Sequence, residues 1–288
     1  MTESTLSIAG INLTFLYDED LPEPDFEEGP DPVEGADHIR FHVHRGPLPD
    51  MGSREVIFDS GEAWALFRSG YKYVLQNNSL GPESSPDVFV VLNSNLISGH
   101  IYLNYDPSFK REPSDPLGWP LNQILMIFLL SIHRGILFHA CGIDDRGEGL
   151  LFLGNSGHGK TTMARLWKNT ESSVLNDDRI VVREKGNRFW MFGTPWHGDL
   201  ATWSSRGVPI HRIFFLKAGE KNAVVPKTGA EAVSMLIARS FPPFWDRKNM
   251  AYTVDLCHRL VKKIPCHELR FARDRGVVDF IRGLSDLS

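Results

Sequence analysis

The chain has 288 residues, a formal net charge of −5, a hydrophobic share of 42% and only three cysteines. This composition is typical of a globular protein with one large or two smaller domains, and it argues against a general nucleic-acid binder, which would show a basic patch. So few cysteines at unrelated spacings favour neither a disulfide framework nor a zinc site, and they suit a cytoplasmic location. The most apolar run, residues 124–132, is too short to cross a bilayer, which needs roughly 20 residues.

The first third of the sequence predicts a small, mostly antiparallel β domain over residues 1–106. Alternating residues over 6–17 indicate one or two strands. Residues 18–37 hold ten Asp or Glu, several prolines and no Lys or Arg, which predicts a loop. Short segments rich in β-branched or aromatic residues predict further strands. These segments are 39–44, 54–59, 63–67, 71–76, 88–92 and 101–105. Prolines over 107–120 predict a joint before a second domain, 121–288.

The second domain begins with an apolar helix over 121–133 and then alternates strands with helices. A strand over 149–153 and a helix over 161–168 flank a glycine-rich segment. Thr228 and Glu231 fit a capping box, which predicts a helix from 229 to 240. The remaining predicted strands are 136–143, 174–182, 189–193, 213–217 and 268–271, and the remaining predicted helices are 248–263 and 277–284. This alternation favours an α/β class.

The glycine-rich segment fits the pattern G-x-x-x-x-G-K-[ST] of phosphate-binding loops. In such a loop, backbone N–H groups and the N-terminus of the next helix face phosphate oxygens. Lys160 would reach the β- and γ-phosphates, and the Thr161 hydroxyl would bind magnesium. The alternative is a glycine-rich turn with an exposed lysine. The predicted nucleotide-binding residues are Gly154, Asn155, Ser156, Gly157, His158, Gly159, Lys160, Thr161 and Thr162.

Two adjacent carboxylates follow an apolar strand shortly after this loop. Asp177 and Asp178 end the run Val-Leu-Asn-Asp-Asp, and an acid at the end of such a strand commonly faces a nucleotide-bound metal. A pair allows one carboxylate to bind the metal while the other accepts a proton. The alternative is a solvated Asp-Asp turn.

Several histidines have both structural and functional interpretations. His139 ends an apolar strand, where a lone histidine is usually a packed, hydrogen-bonded residue. His42 and His44 lie on one side of a predicted strand, but no third metal ligand is near them in sequence, which favours a structural role. Trp196 and His197 either line an acceptor pocket or pack within a loop.

Taken together, three segments resemble the catalytic core of HPr kinase/phosphorylase and of phosphoenolpyruvate carboxykinase. They are His-Ala-Cys-Gly-Ile over 139–143, the loop and its flanks over 150–162, and the strand with the Asp pair over 175–182. The arrangement is most similar to HPr-kinase-related kinases, including free serine kinases and kinases of ribosomal-peptide maturation. The resemblance implies an α/β (α+β mixed) fold with an HPr kinase/phosphoenolpyruvate carboxykinase-like P-loop core and a smaller, mostly β N-terminal domain.

The resemblance also implies roles for individual residues. Asp177 would be the base on the acceptor hydroxyl, Asp178 would bind the metal, and His139 would lie beside the carboxylates and the transferred phosphate. Arg206 is the nearest candidate for a γ-phosphate contact, although a plain surface arginine is the favoured interpretation. HPr kinase has Glu where Thr162 stands, and its phosphorylase signature has no counterpart here, so phosphorolysis is left open.

The expected function is that of an ATP-dependent kinase. It would use ATP and Mg²⁺ and transfer the γ-phosphoryl group to a hydroxyl of a small metabolite, an amino acid or a peptide. The alternatives are carboxykinase-like phosphotransfer and a non-catalytic nucleotide-binding protein. The expected partners are a nucleotide and the acceptor, with no nucleic acid and no membrane, and homo-oligomerisation is left open.

Overall fold

The computed structural model describes residues 2–18, 36–61, 63–77, 88–104, 120–132, 135–168 and 170–284. The chain divides into two compact units, Met1–Leu129 and Leu130–Ser288, and each contains an eight-stranded sheet. Most of the predicted acidic loop (18–37) and of the predicted proline-rich joint (107–120) lies outside the described residues.

The sheet of the first unit contains a strand at every predicted segment. Its spatial order is β1-β2-β3-β8-β7-β6-β5-β4. Strand β3 pairs in parallel with both β2 and β8, whereas the other neighbours are antiparallel. The strands are β1 (Thr2–Ile8), β2 (Ile11–Tyr17), β3 (Asp37–Arg45), β4 (Glu55–Asp59), β5 (Trp64–Ser69), β6 (Lys72–Asn77), β7 (Val88–Asn93) and β8 (Ser98–Leu103).

The chain then continues through five helices and the eight strands of the second sheet. In chain order these are α1 (Leu121–Ser131), β9 (Ile136–Asp145), β10 (Glu148–Leu153), α2 (Lys160–Lys168), β11 (Ser173–Asn176), β12 (Arg179–Lys185), β13 (Arg188–Gly193), β14 (Val208–Ala218), β15 (Ala223–Lys227), α3 (Gly229–Ile237), α4 (Arg247–Lys263), β16 (Cys266–Phe271) and α5 (Gly276–Gly283). Within these described elements, no helix is long and apolar enough to cross a membrane.

The second sheet combines hairpins with a short parallel section. The antiparallel path runs from β10 through β9, β12 and β13 to β14, and β14 also pairs in parallel with β10, so the pairings form a closed circuit. Strand β16 pairs in parallel with β14, and β15 lies at its other edge. The carboxyl ends of β10, β14 and β16 therefore meet at one edge of the sheet, where the glycine-rich loop begins.

The predicted α/β class with a P-loop core of the HPr kinase/phosphoenolpyruvate carboxykinase type is wrong. The chain is mostly β, with 46% strand and 23% helix, two large sheets and five short helices. The reason lies in the connections: β9 joins β10, and β12 joins β13, through two residues each. Connections this short permit only antiparallel hairpins, because a parallel pair needs a crossover of about a dozen residues or more.

Three local predictions also need correction. The single strand predicted over 174–182 is two strands, β11 and β12, separated by Asp177 and Asp178. Strand β15 was not predicted. The capping box at α3 does not form its side-chain bond, since Thr228 makes no side-chain cap contact and Glu231 instead pairs with Lys227, with Nζ and Oε1 2.5 Å apart.

Candidate active site

The glycine-rich loop joins the buried strand β10 to helix α2. Gly157 and Gly159 have φ values of +80° and +100°, a region that favours glycine. A Cβ atom on Gly159 would lie 2.7 Å from the ring of Phe271, so this position also lacks room for a side chain. The imidazole Nδ1 of His158 lies 3.2 Å from the carbonyl oxygen of Leu216. The loop is thus held against the ends of β14 and β16.

Lys160 is folded back into the loop that precedes it. Its ammonium Nζ donates to the carbonyl oxygens of Gly154 at 3.0 Å and Asn155 at 3.4 Å. The residue is only 7% exposed, so it is not the exposed lysine of a simple turn. Burial lowers the pKa of Lys160, and the carboxylates of Asp178 and Asp177 oppose that shift. An anion bound at the loop would favour the charged form in the same way.

Asp177 is a buried carboxylate with one unsatisfied oxygen. The residue is 1% exposed, which excludes a solvated turn. Its Oδ1 accepts a hydrogen bond from the Gly198 N–H at 2.9 Å, whereas Oδ2 has no hydrogen-bond partner among the described residues. A buried polar atom without a partner carries a free-energy cost of about 1–3 kcal/mol. Such an atom calls for an explanation, and a catalytic role, a water or an ion are the usual ones.

Asp178, by contrast, has partners on both oxygens. Oδ1 lies 2.9 Å from His139 Nε2, and Oδ2 accepts from Arg179 Nη1 at 2.6 Å. Burial alone would raise the pKa of Asp178, but the hydrogen bond from His139 and the positive charges of Arg179 and Lys160 outweigh it and lower the pKa. Arg179 also lies over the ring of Phe241, 4.6 Å from its centroid. Asp178 is therefore held as a charged carboxylate.

Asn176 connects the Asp pair to the segment after β13. It is completely buried, and its Oδ1 accepts from the backbone N–H groups of Asp178 at 2.6 Å and Arg179 at 2.8 Å. Its Nδ2 donates to the carbonyl oxygens of Thr194 at 2.8 Å and Trp196 at 3.2 Å. One side chain therefore fixes the turn that carries both carboxylates and the segment that leads to Gly198.

These parts line one cavity of about 410 Å³. The loop and the start of α2 contribute Ser156, Gly157, Gly159, Lys160, Thr161 and Thr162. His139, Asp177 and Asp178 line it too, together with Gly198. The structure thus brings together most of the residues that were predicted from separate motifs. Gly154, Asn155 and His158 belong to the loop but do not line the cavity.

Other predicted residues lie elsewhere or act through their backbone. The side chain of Arg206 is 71% exposed and faces Asp144, with Nη1 and Oδ2 3.6 Å apart, and Arg206 does not line the cavity. Trp196 contributes its carbonyl oxygen to Asn176, and His197 Nδ1 lies 3.0 Å from the Gly198 carbonyl oxygen. Neither side chain lines the cavity.

Sequence reasoning missed Arg165, Asp199 and Arg273 as cavity-lining residues. Arg165 lies one turn after Thr161 on α2, and this helical spacing could have pointed to it. Arg273 follows β16 and donates from Nη2 to the Gly157 carbonyl oxygen at 3.2 Å. Its separation from the loop by more than a hundred residues hides it from any local pattern. No group of three or more His, Cys, Asp or Glu side chains suited to a metal ion occurs within the described part of the chain.

Comparison with known proteins identifies the family of this chain. Residues 117–274 match the family described as "SynChlorMet cassette protein ScmC". No curated protein matches the chain. The matched region covers more than half of the sequence and includes the glycine-rich loop, the Asp pair and Arg273. The chain therefore belongs to the SynChlorMet cassette protein ScmC family.

Proposed function

We propose that this protein is an ATP-dependent kinase that transfers the γ-phosphoryl group to a hydroxyl of a small metabolite, an amino acid or a peptide. The observation that carries the proposal is the single cavity shared by the glycine-rich loop, buried Lys160 and the Asp177–Asp178 pair. A phosphate-binding loop alone would suit any nucleotide-binding protein. A desolvated carboxylate in the same cavity adds a group that can accept a proton.

The donor side of the cavity suits a chain of phosphates. Backbone N–H groups of the loop and the N-terminus of α2 favour anions, and the buried Lys160 places its ammonium in the same loop, against the carbonyl oxygens of Gly154 and Asn155. Arg165 and Arg273 add two guanidinium groups to the lining. In phosphoryl transfer most of the catalytic effect comes from positioning and from such electrostatic stabilisation.

The acceptor side suits an alcohol. The acceptor oxygen would form a bond to the γ-phosphorus while the bond from that phosphorus to the bridging oxygen breaks, which releases ADP. The hydroxyl proton would pass to Asp177 Oδ2, the oxygen that has no partner among the described residues. Asp178 suits this role less well, because its pairs with His139 and Arg179 help to lower its pKa and make it a weaker proton acceptor.

The residues present also fit a magnesium ion. The Thr161 hydroxyl and the ionised carboxylate of Asp178 would hold it, and both line the cavity. When bound, magnesium neutralises charge on the phosphates. A cluster of three carboxylates is not required, since magnesium at nucleotide sites is usually bound by one or two carboxylates together with substrate phosphates.

The relation to HPr-kinase-related kinases enters this proposal only through the local segments over 136–182, because the fold class that it implied is wrong. The likeness supports the pairing of a glycine-rich loop, His139 and two adjacent carboxylates as one phosphotransfer site. It does not select the acceptor.

The test is incubation with ATP, Mg²⁺ and a panel of serine, related alcohols and hydroxyl-bearing peptides, followed by mass spectrometry. Transfer adds about 80 daltons to a hydroxyl, as expected for any added phosphoryl group. Free phosphate as the sole product, or phosphate on an acyl or imidazole group, would refute the proposal. Tight nucleotide binding with no turnover on any acceptor would instead favour a non-catalytic nucleotide-binding protein.

A further inference from the structure

The charged residues that line the cavity come from two distinct sets of elements. The cations are Lys160 and Arg165 on α2 and Arg273 after β16. The anions are Asp177 and Asp178 between β11 and β12, and Asp199 after β13. The cations suit the phosphates of the donor. The proposed function uses Asp177 as the base and Asp178 as a magnesium ligand, so one anion of the lining has no role in it.

Asp199 is the anion that the proposed function does not use. Asp178 pairs with His139 and Arg179, and Asp177 is the proposed base. The side chain of Asp199 is exposed at the cavity, and no hydrogen bond or ion pair joins it to another described residue. Its carboxylate is available to a ligand.

The backbone places Asp199 next to the reacting groups. The preceding residue, Gly198, donates its N–H to Asp177, and a Cβ atom on Gly198 would lie 2.9 Å from Asp177 Oδ2. Asn176 holds the same segment further upstream, through the carbonyl oxygens of Thr194 and Trp196. Asp199 is therefore attached to a segment that is fixed on the proposed base.

Two further observations indicate a polar ligand at this position. Asp177, 1% exposed, has an unpartnered oxygen and lines the same cavity. In addition, every described residue in the lining is polar, charged or a glycine, and none is an apolar residue such as Leu, Val or Phe. An apolar acceptor would leave these groups desolvated and unpaired, which disfavours its binding.

We infer that the acceptor is a hydroxyl compound that also carries an ammonium group, and that the Asp199 carboxylate pairs with this cation while the hydroxyl faces Asp177. The inference rests on the proposed function and narrows its acceptor to a class, the amino alcohols and their derivatives with a free amine. Asp199 is then a specificity-determining residue. The ammonium group is bound and is chemically unchanged in the reaction.

The experiment compares matched acceptors that differ in charge. Serinamide and ethanolamine carry the ammonium group, whereas N-acetylserinamide and ethylene glycol present the same hydroxyl without it. The native protein should have a higher kcat/KM for the charged member of each pair. Asp199→Asn should lower that value about five- to tenfold, the effect of one charge-assisted contact at a partly exposed site, and should leave the neutral members and the affinity for MgATP unchanged. Glu220→Gln, which removes an exposed acid that does not line the cavity, is the matched control.

The possible failures are distinguishable. If neutral and charged acceptors react equally and Asp199→Asn changes neither, the kinase assignment stands and the inference is wrong. If Asp199→Asn raises the magnesium concentration needed with every acceptor, Asp199 belongs to the metal site, which also overturns the inference. If no hydroxyl of either kind is phosphorylated, the proposed function itself fails.

Discussion

The two eight-stranded sheets use their buried polar residues in different ways. In the first unit, some polar side chains pair across neighbouring strands: Ser7 donates to Asn12, and the Asn12 amide lies 3.3 Å from a ring nitrogen of His38. In the second unit, Asn176 is buried at the last residue of β11, and Asp177 is buried directly after it. Lys160 is buried at the first residue of α2, the helix that follows β10. Burying a charge is costly unless it is paired. Charges collected at strand ends around a cavity therefore indicate a ligand site.

Histidines show the same contrast. In the first unit, His44 Nε2 lies 3.0 Å from His100 Nδ1, and the two rings stack with centroids 5.3 Å apart. In the second unit, His139 pairs with the carboxylate of Asp178 beside the cavity. The first arrangement is a cluster of histidines in which His44 Nδ1 also lies 3.1 Å from Asp18 Oδ2 at an exposed position, whereas the second holds a charged carboxylate at a cavity. Substitutions in the second unit should consequently affect turnover, and those in the first should affect stability.

The largest effect is expected from Asp177→Asn. The amide keeps the size of the side chain but cannot accept the acceptor's proton, so turnover should fall by about 10²–10⁴-fold, the usual contribution of a general base. Nucleotide affinity should change little. Turnover and MgATP binding, measured by steady-state kinetics and calorimetry, check this. Asp255→Asn, on the exposed face of α4, is the control. Full activity of the Asp177 variant would remove the base assignment.

Lys160→Ala should have the next largest effect. The change removes a buried ammonium group from the loop, so turnover should fall by about 10²–10³-fold, the typical cost of one preorganised electrostatic contact. Unlike Asp177→Asn, it should also weaken MgATP binding, because the lost charge faces the donor. Lys221→Ala, in an exposed segment, should leave both quantities unchanged. Native nucleotide affinity in the Lys160 variant would contradict the proposed donor site.

Asn176→Ala should have a smaller effect on turnover and a measurable effect on stability. The change leaves the backbone N–H groups of Asp178 and Arg179 without their acceptor, which should lower the free energy of unfolding by about 1–3 kcal/mol. Displacement of the Asp pair should reduce turnover up to about 100-fold, with little change in the affinity for ATP measured without magnesium. Asn176→Asp keeps the accepting oxygen and should recover part of the stability. Denaturant unfolding measures the change in stability, and steady-state kinetics measure the change in turnover. A loss of nucleotide affinity as large as the loss of turnover would instead indicate general disruption of the site.

Much of the secondary structure could be predicted from the sequence. The strand segments of the first unit have β-branched and aromatic residues between turn formers, and the structure has a strand at each. The class of the whole chain could not be predicted in the same way. It depends on which strands pair. The two-residue connections after Asp145 and Lys185 allow only antiparallel hairpins.

The site was predictable where a local pattern existed and not where pairing between distant strands creates it. The loop and the Asp pair are each a continuous stretch of sequence, and residues of both line one cavity. Arg206 was considered for a γ-phosphate contact, yet it faces Asp144 on β9. Asp144 is five residues from His139, which corresponds to about 17 Å along an extended strand. Arg273 and Asp199 reach the cavity only because β16 and β13 end near it, and no motif marks either residue.

The smallest effect is expected in the first unit and concerns the dependence of stability on pH. Burial, together with the charges of His44, His42 and Lys72, lowers the pKa of His100 below its ordinary value of about 6.5. The unfolded chain therefore binds a proton at a higher pH than the folded chain does. The contribution of His100 to the free energy of unfolding should therefore be complete above about pH 6.5. Below that value, the free energy of unfolding should decrease as the pH falls.

Replacement of His100 should remove this pH dependence of the free energy of unfolding without changing turnover. His100→Gln should flatten the decrease between about pH 6.5 and pH 5, because the side chain no longer titrates. Hydrogen exchange of backbone amides in β3 and β8 reports on this part of the sheet, and kinetics at neutral pH should match the native protein. His211→Gln, in the second unit, is the control and should leave exchange in β3 and β8 unchanged. An unaltered pH dependence in the His100 variant would show that another group controls it. A loss of turnover at neutral pH would show that the two sheets do not divide stability and catalysis between them.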